Sequence, residues 1–203
     1  MDAKLLLQLA GVALGLLYLW LEYRADIRLW AVGIVMPVVH GVLYYRSGLY
    51  ADCSMQVYYV LAGLYGWMRW RQTSRRVAAK ENAPQRKPAA SGTIVHTPWR
   101  QVPLLVAAYA ALHFLLWFVL TRFTDSTVPF WDAFTTALCV VAYWMLSRRQ
   151  AEQWLVWLAV DLTTVALYAY KGIPITAGLY LLYSLLAVAG YVRWLRQIPK
   201  EAV

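Results

Sequence analysis

Apolar residues fall along this chain in seven long runs, separated by short polar gaps and one long one. The runs are Leu5–Leu21, Ile27–Tyr45, Cys53–Trp70, Val102–Leu120, Phe130–Leu146, Gln153–Tyr170 and Ile173–Trp194. Each approaches the ~20 residues that a helix needs to cross ~30 Å of hydrocarbon. Backbone groups in lipid must be satisfied within the segment, so the pattern predicts helices. The long gap, Arg71–Pro98, has no apolar run and reads as a solvated loop with little fixed structure.

Sliding the chain against itself by 124 residues lays the first three runs on the last three without a gap. Trp20 falls on Trp144, Arg24 on Arg148, Trp30 on Trp154, Gly48 on Gly172 and Tyr59 on Tyr183. Gly66-Trp67-Met68-Arg69-Trp70 falls on Gly190-Tyr191-Val192-Arg193-Trp194. Tryptophan is rare, and a shared interfacial belt does not explain one constant offset. The expected fold is therefore an all-α integral membrane protein of seven transmembrane helices, two parallel three-helix repeats joined by a central helix. Residues 1–71 make the first repeat, 72–101 a cytoplasmic loop, 102–122 the linking transmembrane helix, 128–195 the second repeat and 196–203 a cytoplasmic tail. A single helix between two three-helix units gives both the same orientation, with their symmetry axis along the membrane normal. In transporters with such repeats the substrate path lies between the halves.

Composition supports the lipid environment. Of 203 residues, 62% are hydrophobic and only 14% charged, too few to clothe a soluble surface. The net charge of +9 does not indicate nucleic acid, because the basic residues form no stripe. They sit in alternate gaps: Lys4, Arg46, Arg122 and Lys171 on one side, and Arg24, Arg28, the cluster from Arg69 to Arg100, Arg148, Arg149, Arg193, Arg196 and Lys200 on the other. The richer side is expected to be cytoplasmic, with the N-terminus outside and the C-terminus inside. No cleavable leader is evident before Leu5. Cys53 and Cys139 have no metal-ligand or disulfide spacing and read as small buried residues.

One residue carries most of the chemical information. Asp161 falls near the middle of the sixth run, where a carboxylate is costly and points to function. Trp154, Trp157 and Asp161 are spaced three and four apart and share a helix face. Two rings leading to one negative charge suit a flat organic cation. Gln56 and Tyr59 on the third run, and Tyr180 and Tyr183 at matching levels of the seventh, add groups able to read ribose or ring nitrogens. Trp67 and Trp70 stand close to the inner interface, where belt residues are ordinary. His40 and His113 read as interhelical hydrogen-bonding residues. Pro37, the repeat partner of Asp161, is expected to break the second span. Asp52, Asp125 and Asp132 read as solvated residues near the outer ends. The chain has no metalloprotease motif, phosphate loop or nucleophile elbow, so no catalytic residue, metal site or cofactor is expected.

Several of these stretches are similar to one family. Leu49-Tyr50-Ala51-Asp52, Gly66-Trp67-Met68-Arg69-Trp70, the Trp154/Trp157/Asp161 face and Leu167-Tyr168-Ala169-Tyr170-Lys171-Gly172 resemble the PnuC family of bacterial nicotinamide riboside transporters, whose relatives carry thiamine or riboflavin. The resemblance covers nearly the whole chain. It implies facilitated diffusion across the bacterial cytoplasmic (inner) membrane, with a cytosolic vitamin kinase trapping the product. It also implies that the aromatic pairs Trp67/Trp70 and Trp154/Trp157 take part in binding, with Asp161 at a position the family fills with Asn or Asp. The expected function is uptake of a cationic aromatic vitamin, nicotinamide riboside first and thiamine as alternative. The expected partners are that vitamin and the bilayer; a homo-oligomer is left open. A rival of another class is a membrane scaffold without a substrate, which has no need of the cost of Asp161.

Overall fold

In the computed structural model the described residues are 3–46, 50–81, 94–170 and 172–198. They form seven α-helices: α1 (Ala3–Tyr23), α2 (Leu29–Arg46), α3 (Tyr50–Glu81), α4 (Val102–Phe123), α5 (Pro129–Ser147), α6 (Gln153–Tyr170) and α7 (Pro174–Leu195). A 3-10 turn, Trp99–Gln101, leads into α4. Each expected span coincides with one helix. Among the described residues, Trp99–Phe123, Pro129–Ser147 and Thr176–Leu195 are long and apolar enough to cross a membrane, and Ala13–Tyr23 and Leu29–Val42 are shorter apolar stretches. In α6 the apolar run is diluted by Gln153, Asp161, Thr163 and Thr164.

Two expectations need correction. The gap after Trp70 does not open as loop, because α3 continues to Glu81. Arg, Gln, Ala, Lys and Glu are strong helix formers, and the first proline beyond Trp70 is Pro84. Residues 82–93 of that gap lie outside the described residues, as do Ser47, Gly48, and Leu49 and Lys171 of the family-like motifs. The side chains of Asp52 and Cys53 are likewise not described. The second correction is at Pro37. It sits inside α2, which passes through it without a break.

The end of the same gap is fixed as well. Val95 takes a hydrogen bond from the Ala151 N–H at 3.0 Å and donates its own N–H to the Arg149 carbonyl at 3.1 Å. Ile94 is buried beside it. Glu152 accepts from His96 Nδ1 at 2.7 Å, from the Thr97 N–H at 2.7 Å and from Thr97 Oγ1 at 2.8 Å. Gln150 Nε2 donates to Gln101 Oε1 at 2.8 Å. Residues 94–101 are therefore a strap tied across the loop between α5 and α6.

The chain divides into two compact units that part between Thr93 and Ile94. In the first, α1 packs on α2 and α2 on α3. In the second, α4 packs on α5, α5 on α6 and α6 on α7. Described separately, the two units repeat the same local geometry at the 124-residue offset. α1 ends in a Schellman motif: Ala25 has a left-handed φ of 53°, its N–H reaches the Glu22 carbonyl at 2.9 Å, and the Asp26 N–H reaches that of Leu21 at 2.9 Å. At the end of α5, Arg149 has φ 56°, with bonds to Leu146 at 2.9 Å and from Gln150 to Met145 at 3.1 Å. Beside each corner a guanidinium lies over an indole, Arg24 over Trp20 at 4.3 Å and Arg148 over Trp144 at 3.9 Å.

The cores match too. Trp30 and Trp70 stand edge to face with ring centroids 5.6 Å apart at 86°. Trp154 and Trp194 do so at 5.8 Å and 90°. All four rings are wholly enclosed. Gly66 lies against Trp30 and Gly190 against Trp154, each so close that a Cβ would enter the indole.

Candidate functional site

The second unit gathers the chemistry. α5 and α6 are joined by a five-residue corner, 148–152, and run back along one another. Cys139 stands eight residues before the end of α5 and Asp161 eight residues after the start of α6, so the two are level. Tyr143 and Trp157 are level in the same way, four residues from their helix ends. Asp161 is 8% exposed, about 12 Å along α6 from Gln153. It stands near Cys139 on α5 and near Tyr180 and Tyr183 on α7.

Among the described residues, no hydrogen bond reaches the Asp161 carboxyl. The hydroxyls nearest in sequence are engaged on their own helix: Thr163 Oγ1 donates to the Ala159 carbonyl at 2.8 Å, and Thr164 Oγ1 to that of Val160 at 2.8 Å. On α7, Ser184 Oγ donates to the Tyr180 carbonyl at 3.0 Å. A helix-to-helix hydrogen bond therefore does not account for Asp161. A buried carboxyl left without such a bond carries a desolvation cost that a bound donor or cation offsets.

Aromatic rings stand on the helices near this carboxyl. Trp157, half-buried, meets Tyr143 at 6.1 Å and 74°, and its indole N–H is enclosed without a hydrogen-bond partner among the described residues. Tyr180 stacks on Tyr168 at 5.7 Å and 12°, and meets Tyr183 edge-on at 5.7 Å and 77°. Among the described residues no group of three or more His, Cys, Asp or Glu is placed to hold a metal ion.

The structure sorts the residues expected at the site. It brings Trp157, Asp161, Tyr180 and Tyr183 together. It adds Tyr143, Cys139 and Tyr168, which the sequence reading left out; the level pairing of antiparallel α5 and α6 was the signal that finds the first two. The rings of Trp154 and Trp70 are sealed, against Trp194 and Gly190 and against Trp30 and Gly66. Trp67 is 40% exposed. Gln56 lines a groove of about 390 Å³ between α2 and α3, together with Pro37, Gly41 and apolar residues. Tyr59 meets Tyr58 at 5.5 Å. These three belong to the first unit.

His40 Nδ1 donates to the Met36 carbonyl at 2.9 Å, one turn back. His113 is buried on α4 among Tyr109, Phe130 and Phe134, with the Phe130 ring 4.8 Å away.

A bundle of apolar helices that holds a carboxyl without a hydrogen bond among aromatic rings has the character of a small-molecule membrane carrier. Comparison with known proteins agrees. The family model described as "Nicotinamide mononucleotide transporter" matches residues 5–196, and the chain belongs to that family. Its members are membrane transporters and not enzymes. The nicotinamide riboside transporter PnuC of Escherichia coli (strain K12) is 25% identical over 202 residues, covering 93% of this chain and 84% of its own length. The riboflavin/roseoflavin transporter RibM of Streptomyces davaonensis is 28% identical over 196 residues, covering 92% and 83%. The fold is similar to the crystal structure of the vitamin B3 transporter PnuC, with a TM-score of 0.67 and 22% identity, over 94% of this chain and 80% of that one. The family resemblance read from the motifs is thereby borne out.

Proposed function

We propose that this transporter takes up a cationic, ring-bearing vitamin, nicotinamide riboside first, by facilitated diffusion. The observation that carries this reading is Asp161, a buried carboxyl that no hydrogen bond reaches among the described residues, one turn along α6 from Trp157 and near Tyr180 and Tyr183 of α7. A pyridinium ring suits both features, through charge pairing with the carboxylate and cation–π contact with the rings. Relatives named as nicotinamide riboside transporters support it. Riboflavin, which the name of the Streptomyces davaonensis relative specifies, is uncharged and makes no use of the carboxylate as counter-ion. Thiamine, also a cationic ring, is the rival within transport.

The repeated corners and Trp pairs support two parallel three-helix repeats, residues 1–71 and 128–195, joined by α4 over 102–122. Such a duplication suits alternating access. The bias of basic residues supports a bacterial inner-membrane protein with the N-terminus outside and the C-terminus inside. Residues 72–101 and the 196–203 tail are then cytoplasmic. Gln56, Tyr59 and Trp67 of the first unit are proposed to complete the binding surface. A cytosolic kinase would trap the imported vitamin.

The test is binding and uptake with purified protein. Nicotinamide riboside should bind in detergent more tightly than thiamine or riboflavin. In proteoliposomes it should equilibrate to equal concentrations on both sides without an imposed ion gradient. Tighter thiamine binding moves the substrate to the rival; accumulation only with a gradient replaces facilitated diffusion with coupled transport; no binding of any of the three overturns the reading.

A further inference from the structure

The local geometry that the two units share is built of packing devices: the Schellman corners, the Arg-over-Trp contacts, the perpendicular Trp pairs and the glycines beneath them. Features present in only one unit are not required to build a three-helix repeat. The Tyr143–Trp157 contact is one of these. Its counterparts in the first unit are Leu19 and Gly33, and those of Cys139 and Asp161 are Gly15 and Pro37. The second unit therefore carries two aromatic side chains at the α5–α6 contact where the first has an aliphatic residue and no side chain at all.

The geometry at that contact is specific. The two rings sit 6.1 Å apart at 74°, an edge-to-face arrangement that fixes one ring plane against the other. The Trp157 indole N–H is enclosed and has no hydrogen-bond partner among the described residues, so no polar bond to them from its ring sets its tilt. The ring is only half-buried, and packing does not seal it as it seals Trp154. Tyr143 stands one helical turn from Cys139 on α5, as Trp157 stands one turn from Asp161 on α6. The tyrosine thus braces the indole at the level next to the carboxyl.

We propose that Tyr143 is a positioning residue that holds the Trp157 indole at the tilt from which it meets the transported molecule. The proposal rests on Trp157 and Asp161 forming the binding face. A leucine at 143 fills the space but lets the indole rock, so part of the stacking geometry must be recovered on binding. A phenylalanine keeps the ring and its edge.

The experiment combines Tyr143→Leu and Tyr143→Phe with Trp157→Ala and Trp157→Phe. Equilibrium binding of nicotinamide riboside in detergent should weaken about two- to ten-fold in Tyr143→Leu and stay within about two-fold of wild type in Tyr143→Phe. In the Trp157→Ala background, Tyr143→Leu should bring no further loss, since its effect passes through the indole. A second arm needs no ligand. Near-ultraviolet circular dichroism of Tyr143→Leu should change the tryptophan bands in wild type and leave them unchanged in Trp157→Phe. An equal loss of binding in both backgrounds, or the same spectral change with Trp157 absent, overturns the positioning role. Failure of the wild type to bind nicotinamide riboside counts against the proposed substrate, while the spectral arm still decides whether Tyr143 sets the indole.

Discussion

Gly190 of α7 lies flat against the indole of Trp154 on α6, with room for a hydrogen and none for a methyl group. The Trp194 ring closes the other approach at 90°. Gly190→Ala should therefore force α6 and α7 apart. Overpacking of this kind costs about 1–3 kcal/mol. Thermal unfolding in detergent should show a lowered midpoint, and Gly66→Ala should lower it as well, because Gly66 meets Trp30 in the same way. Gly178, whose Cβ position is open, should accept alanine with little change.

Asp161→Asn keeps the side-chain shape and removes the charge. If the carboxylate is the counter-ion to the bound ring, affinity for nicotinamide riboside should fall about ten-fold or more, since hydrogen bonds to charged groups contribute about 1.5–3 kcal/mol. Riboflavin, which has no cationic ring, should lose far less. Unchanged nicotinamide riboside binding in Asp161→Asn would leave the residue as an orienting acceptor only.

The strap at 94–101 carries a pH dependence of known sign. Burial raises the Glu152 carboxyl, but the hydrogen bonds from His96 and Thr97 outweigh it and hold the group below its ordinary range. A carboxylate depressed on folding adds stability that is complete above its unfolded value and disappears as the pH falls through its lowered folded value. Glu152→Gln should lower the unfolding midpoint by a few degrees near neutral pH. The gap between the two proteins should close as wild-type Glu152 is protonated. A gap that stays constant from neutral pH to below the carboxylate range would assign the effect to shape and not to charge.

Topology is open to labelling. Single cysteines at Ser126, between α4 and α5, and at Gln197, after α7, would be placed in a background lacking Cys53 and Cys139. An impermeant thiol reagent should label position 126 in intact cells and position 197 only after the membrane is opened. The reverse pattern would invert the orientation read from the basic residues.

All seven helices were legible because lipid imposes one requirement on each span, an apolar run of sufficient length. The matched Trp pairs were legible because tryptophan and glycine make that packed contact, and neither is easily replaced there. Two things were hidden. Composition marks Arg71–Glu81 as polar, yet polarity does not distinguish a solvated helix from a loop; the local propensity of Arg, Gln, Ala and Lys did. The strap depends on hydrogen bonds across 55 residues of sequence, from Thr97 to Glu152, which no local pattern announces. In the candidate site, Asp161 stood out in the sequence by its cost. The roles of Trp154 and Trp157 were not separable in sequence, since both lie on one face. Only the partners, Gly190 and Trp194 for one and Tyr143 for the other, set them apart.

The matched corners turn this molecule into its own control for mutagenesis. A change at Trp30 has a twin at Trp154, Gly66 at Gly190, and Ala25 at Arg149, in the same polypeptide and the same membrane. A residue needed only to hold three helices together should be equally sensitive in both copies. Where one copy tolerates a change and the other does not, the difference measures what the second copy does besides folding, without a homologue or a separate reference protein.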